Sequence, residues 1–182
     1  MKGVLFTEFQ NLVEAEFGLE MLDQVIHKAG PALSTGGAYT SVGTYPHSEL
    51  LAQLDALICL VDAELDEMLQ AYACRLMSSF ANSYPAFFEA HEDLFSFLIN
   101  VEGQMHAGVR KLYPDANPPT LEIEHHTETS LRLQYRSHRP LSVVVAPLLH
   151  AAAQRYETPI EVEVLSTSED GKTAEVEIRA QS

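Results

Sequence analysis

The apolar residues of this chain recur with a helical period through the first two-thirds and alternate in the last third. Over residues 2–17, Leu5, Phe9, Leu12, Val13 and Phe17 share one helix face, and Gly18 supplies a stop. A second helix, about 19–28, carries Leu22, Val25 and Ile26 and ends at Gly30-Pro31. Residues 30–47 are rich in Gly, Ser, Thr and Pro and read as a loop. Ser48 is placed to cap a helix with Leu51, Leu54, Ile58 and Val61 inside. Asp62 is placed to cap another, with Leu65, Met68, Leu69, Tyr72, Leu76 and Phe80, until Tyr84-Pro85 breaks it. A short aromatic turn with Phe87 and Phe88 follows. The longest helix is predicted over 92–112, with Asp93 near its start and a core stripe of Leu94, Leu98, Val101, Met105 and Leu112.

After Pro118-Pro119 the period becomes two. Leu121 and Ile123 alternate with Glu122 and Glu124, and Leu131, Leu133 and Tyr135 alternate beyond a turn at 127–130. Pro140 opens a helix carrying Leu141, Val144, Val145, Leu148 and Ala152, with Pro147 inside it as an expected kink. Strands at about 159–166 and 173–180 flank a hairpin signal at 168–171. The prediction is an α+β fold, an N-terminal helical lobe followed by a mostly antiparallel sheet lobe with one inserted helix.

Charge narrows the function classes. The chain carries 26 acidic and 11 basic residues, a formal net charge of −15. That excess runs against nucleic-acid binding, which needs basic patches for phosphates, and against an anionic membrane surface. No secretory leader and no membrane span are predicted. Cys59 and Cys74 do not have zinc-motif spacing and fit a reduced, cytoplasmic compartment.

His106 is the first candidate for chemistry. A lone His on a helix is more often a surface or satisfied core residue, and His27, His47, His91, His125, His126, His138 and His150 compete with it. Yet Gly103 and Gly108 bracket it, each costing ~1 kcal/mol in a helix relative to Ala. The missing side chains leave room for something flat. A neutral imidazole is the usual proximal ligand where haem keeps an open face for a gas.

Tyr135, Ser137 and Arg139 form the second candidate. Alternation puts them on the face that Leu131 and Leu133 begin. Two readings stand. The strand emerges into solvent at Tyr135, or the face stays buried and the triplet holds carboxylates, such as two haem propionates, since an unpaired buried donor costs about 1–3 kcal/mol. The pair His125-His126, with His138 nearby, does not make a zinc site from one strand, because neighbours point to opposite faces. No Ser/His/Asp order, phosphate loop or paired-carboxylate signature is present.

Met-Lys-Gly at 1–3, the helix bearing His106, Pro-Pro at 118–119 and Tyr135-x-Ser137-x-Arg139, which starts 29 residues after the His, together resemble the haem–nitric oxide/oxygen-binding (H-NOX) domain family over nearly the whole chain. The resemblance implies a single haem-binding domain, with 1–65 a distal helical lobe, 66–182 the proximal helix and sheet lobe, and the haem between them. It implies haem b, as ferrous iron protoporphyrin IX, with His106 as proximal ligand and Tyr135, Ser137 and Arg139 as the propionate clamp. Pro119 matches the proline that presses on the haem. Leu5, Phe80, Val144 and Leu148 match positions lining the distal pocket and haem faces.

Oxygen-binding members resemble one another in a distal Tyr, and here the matching position is Val144, with Leu76 where its supporting residue stands. The resemblance thus implies a pocket selective for nitric oxide, which also takes CO, unless Tyr72 or Tyr84 reaches it from another helix. It further implies a sensor and not an enzyme. Release of His106 on NO binding shifts the 92–112 helix, and the lobes rotate. The partner in trans is a histidine kinase or a diguanylate cyclase/phosphodiesterase, as no output domain is expected after Ser182. An oxygen-binding sensor or carrier on the same fold is the alternative, and a haem-free anion-binding module would use Arg139 without needing His106.

Overall fold

Gly3 begins the first helix by letting two backbones meet. Its N–H donates to the Gly43 carbonyl at 2.9 Å, and a Cβ there would collide with the Thr40 carbonyl. In the computed structural model, which describes residues 1–181, the chain divides into two units, Met1–Leu76 and Met77–Ser182.

In the first unit, α1 (Val4–Phe17) buries Phe6, Phe9, Leu12 and Val13, while Phe17, expected on that face, is exposed. Helix α2 (Leu19–Ala29) buries Leu22, Val25 and Ala29. Helix α3 (His47–Val61) starts one residue before the expected cap. Pro46 takes the cap position, and Ser48 lies inside without capping. Its buried face is Glu49, Leu50, Gln53, Leu54, Ala56 and Leu57, turned away from the expected Leu51, Ile58 and Val61. Two polar side chains cause the turn. The Glu49 carboxylate accepts from Ser34 Oγ at 2.5 Å, Thr35 Oγ1 at 3.2 Å and the Tyr39 hydroxyl at 2.8 Å. Gln53 accepts from Gln10 at 2.9 Å. Satisfied in this way, the polar groups tolerate burial. Asp62, in the left-handed region at φ 51°, closes α3 instead of opening α4 (Leu65–Ser83).

The second unit begins within α4. Pro85 opens the short α5 (Pro85–Glu89). The Asp93 carboxylate caps α6 (Leu94–Asn100) by accepting from Ser96 N at 2.8 Å. The helix does not stop at Asn100. It passes through a π-helical turn, Val101–His106, into α7 (Ala107–Leu112). Leu94, Leu98 and Val101 are buried as expected, but Leu112 is 65% exposed. A π turn adds a residue to the repeat and swings later positions off the α-helical stripe.

The sheet is antiparallel, in the order β1 (Thr120–His126), β2 (Ser130–Arg136), β4 (Thr173–Ala180), β3 (Ile160–Thr167). Its core is the pairing of the central strands, Leu131 with Ile178, Leu133 with Val176, and Tyr135 with Ala174. All six are buried.

Helix α8 (Val145–Arg155) is inserted between β2 and β3 and packs on β3. A 3-10 turn, Ser142–Val144, precedes it. Pro147 is therefore in the first turn of α8, where a missing N–H breaks no ladder bond, and not in the helix interior where a kink is expected. Among the described residues, no helix is long and apolar enough to cross a membrane.

Candidate functional site

His106 ends the π turn, with a side chain 14% exposed. Its Nδ1 lies 3.0 Å from Glu102 Oε2. Glu102 also accepts from Arg110 Nη2 at 2.6 Å and from the backbone N–H of Leu121 at 3.1 Å. Burial holds the imidazole below its ordinary pKa, against the upward pull of Glu102 and of the Pro119 carbonyl. The ring is therefore neutral near pH 7, the form that ligates iron. Burial by itself would raise the Glu102 carboxyl, but the donors from His106, Arg110 and Leu121 outweigh it and keep the group lowered. Glu102 is the residue that sequence reasoning missed. Its signal was a carboxylate four residues before the histidine, the spacing at which helical side chains meet.

The second candidate group is only partly on a strand. Tyr135 faces inward on β2, but β2 ends at Arg136. Ser137 and Arg139 lie beyond it, half-buried between the exposed Arg136, His138 and Pro140, so the alternation of burial continues although the strand does not. A bent segment replaces it. Ser137 Oγ accepts from Arg139 N at 3.1 Å, and the Ser137 N–H donates to the Lys172 carbonyl at 2.8 Å. Burial raises the Tyr135 hydroxyl, with Ser137 and Arg139 pulling the other way.

One short segment joins the two candidate groups. Arg139 Nη1 donates to the Asn117 carbonyl at 2.8 Å, and two residues on, the Pro119 carbonyl faces the His106 ring. Leu121, which donates to Glu102, pairs with Tyr135 across β1–β2. The imidazole and the Tyr-Ser-Arg run are thus tied to the same stretch, 117–121.

Of the apolar candidates, Pro119, Phe80, Val144 and Leu148 are all half-buried in the second unit. Val144 and Leu148, four residues apart, avoid the face on which Val145, Leu149 and Ala152 are buried. Leu5, half-buried, belongs to the first unit. Its carbonyl accepts the Tyr72 hydroxyl at 2.6 Å, and Leu76 is buried. Tyr84 is 37% exposed. His125 and His126 are exposed, and among the described residues no three His, Cys, Asp or Glu gather to hold a metal ion.

These residues fit a haem. The imidazole is neutral, and its engaged Nδ1 leaves Nε2 as the nitrogen for iron. Arg139 with two hydroxyls is a donor set suited to carboxylates. Beyond the chain neighbours and the helix's own backbone, no described atom lies within 4 Å of a Cβ at Gly103 or Gly108, so packing against other elements does not call for either glycine.

The comparisons with known proteins agree. Residues 2–164 match the family model described as Haem-NO-binding, and the chain belongs to that family of haem-binding gas-sensor domains. The structure of the Fe(II) unliganded H-NOX protein from K. algicida is similar at 36% identity and a TM-score of 0.91, covering 100% of this chain and 97% of that one. The Fe(II)CO H-NOX from Shewanella woodyi is similar at 27% identity and 0.84, covering 100% and 95%. An H-NOX protein from S. oneidensis in the Fe(II)NO state shares the fold at 21% identity and 0.88, covering 100% of each chain. No curated protein matches the chain.

Proposed function

We propose that this protein is a nitric oxide sensor, with His106 the proximal ligand of a ferrous haem b and Tyr135, Ser137 and Arg139 the clamp on its propionates. When bound, the haem would supply an iron that takes a diatomic gas. The chain's residues set the rest. His106 is neutral and oriented, Arg139 neutralises carboxylate charge, and Pro119 bears on the haem from beside the imidazole. Leu5, Phe80, Val144 and Leu148 line the haem faces and keep water away.

The observation that supports selectivity is the engaged hydroxyl of Tyr72. It donates its only proton to the Leu5 carbonyl, and the positions matched to the distal donor and its support are Val144 and Leu76. Polarised O2 is thus left without a donor, while NO depends on one less, and CO binds as well. Release of His106 from the iron would free the helix over 94–112, and the change would pass in trans to a cytoplasmic histidine kinase or diguanylate cyclase/phosphodiesterase. The domain itself catalyses nothing.

Absorption spectra of the ferrous protein in air and under NO test this reading. The expected result is a spectrum changed by NO and not by O2. A stable oxygen complex in air would overturn the selectivity and favour the oxygen-binding alternative.

A further inference from the structure

We infer that Glu102 is a positioning residue for His106, holding the ring with Nε2 presented to a metal and joining it to the first strand of the sheet. This rests on the assignment of His106 as the iron ligand. Oε2 of Glu102 takes two donors, His106 Nδ1 at 3.0 Å and the Leu121 N–H at 3.1 Å, while Oε1 takes Arg110 Nη2 at 2.6 Å.

A metal-bound His commonly passes its other N–H to a carboxylate, which fixes the ring and strengthens it as a donor to the metal. Arg110 acts against that effect, because its guanidinium draws charge off the same carboxylate. Glu102 and Arg110 therefore push the donor strength of His106 in opposite directions. An ordinary surface pair four residues apart would do neither and would contribute little. Glu102 differs from such a pair in two ways. It accepts a backbone amide from 19 residues away, and the imidazole on it is mostly buried.

The shared oxygen has a mechanical consequence. A His106 ring that swings from its place must break its contact with Oε2 or drag the oxygen off Leu121. Leu121 pairs with Tyr135. One route from the proximal histidine to the Tyr-Ser-Arg run thus passes through this carboxylate, beside the one along Asn117–Pro119.

The test is the iron–histidine stretch in resonance Raman spectra of the ferrous holoprotein, for the wild type, Glu102→Gln, Glu102→Ala and Arg110→Ala. Haem transfer to apomyoglobin is measured alongside. The expected result is a lower frequency in Glu102→Ala, a smaller drop in Glu102→Gln and a rise in Arg110→Ala. Haem loss from Glu102→Ala should be faster by on the order of 10- to 100-fold. Should Glu102→Ala fail to fold, the isosteric Glu102→Gln and Arg110→Ala still give opposite shifts. A wild-type band that no variant moves, or that Glu102→Gln and Arg110→Ala move the same way, overturns this inference and leaves the ligand assignment standing. A wild type with no iron–histidine band overturns both.

Discussion

Replacing Tyr72 by Phe removes one hydroxyl and keeps the ring, which meets Phe9 edge-on at 5.7 Å between centroids. The lost contact is the 2.6 Å hydrogen bond to the Leu5 carbonyl. Leu5 lies in α1, whose ladder still pairs that carbonyl, so the cost is that of one ordinary hydrogen bond, about 1 kcal/mol. For a chain of this size, the melting temperature then falls by about 2–4 °C. The pH dependence is a sharper test. Burial, and next the charge of Glu8, raise the Tyr72 hydroxyl well above the ordinary tyrosine value of 10.0. A group whose folded pKa is raised contributes stability that is fully present below its unfolded pKa and is lost as pH rises toward the folded value. Above pH ~10 the wild type therefore loses about 1.4 kcal/mol per pH unit through this residue, and Tyr72→Phe does not. The two curves should be separated by about 1 kcal/mol at neutral pH and cross between roughly pH 10 and 11. Urea denaturation followed by circular dichroism from pH 7 to pH 11 measures both. Curves that stay parallel through that range refute the reasoning. The same variant bears on gas choice, since its ferrous spectrum in air should match the wild type.

Two further outcomes follow from local geometry. Asp93→Ala removes the cap on Ser96 N and should cost about 1 kcal/mol, read as a lower urea midpoint. Val144→Tyr places a hydroxyl at the matched distal position and should create an oxygen complex in air; an unchanged spectrum would remove Val144 from the distal wall.

Much of the fold was legible because burial follows period. Leu131, Leu133 and Tyr135 alternate in the sequence and are buried together, and the Ser-Glu-Asp-Gly signal falls in the β3–β4 turn. The misreadings share a cause, in that local signals fit more than one geometry. Asp62 suits a helix N-cap and also the left-handed closure it adopts. Pro147 kinks an interior but sits without cost in a first turn, and only the 3-10 turn ahead of it decides which. The π turn at Val101–His106 leaves no mark in composition, so Leu112 reads as core. Ser137 and Arg139 continue the alternation of β2 in sequence, and a backbone bond from Ser137 to Lys172 extends the β2–β4 register by one position before the chain bends at 138. At the site, His106 and the Tyr-Ser-Arg run were visible as residue types at a spacing. The segment 117–121 that ties them together, and the Glu102 carboxylate between, depend on contacts that spacing does not encode.

The central claim is that one haem is held from two sides, by an imidazole on its iron and a guanidinium with two hydroxyls at its carboxylates. Hemin titration of the purified protein, beside a His106→Gly/Arg139→Ala double variant, measures that claim most directly. The account predicts saturation at a single haem per chain for the wild type and an affinity lower by at least on the order of 10- to 100-fold for the double variant. A wild type that refuses hemin, or a double variant that holds it as tightly, contradicts the account.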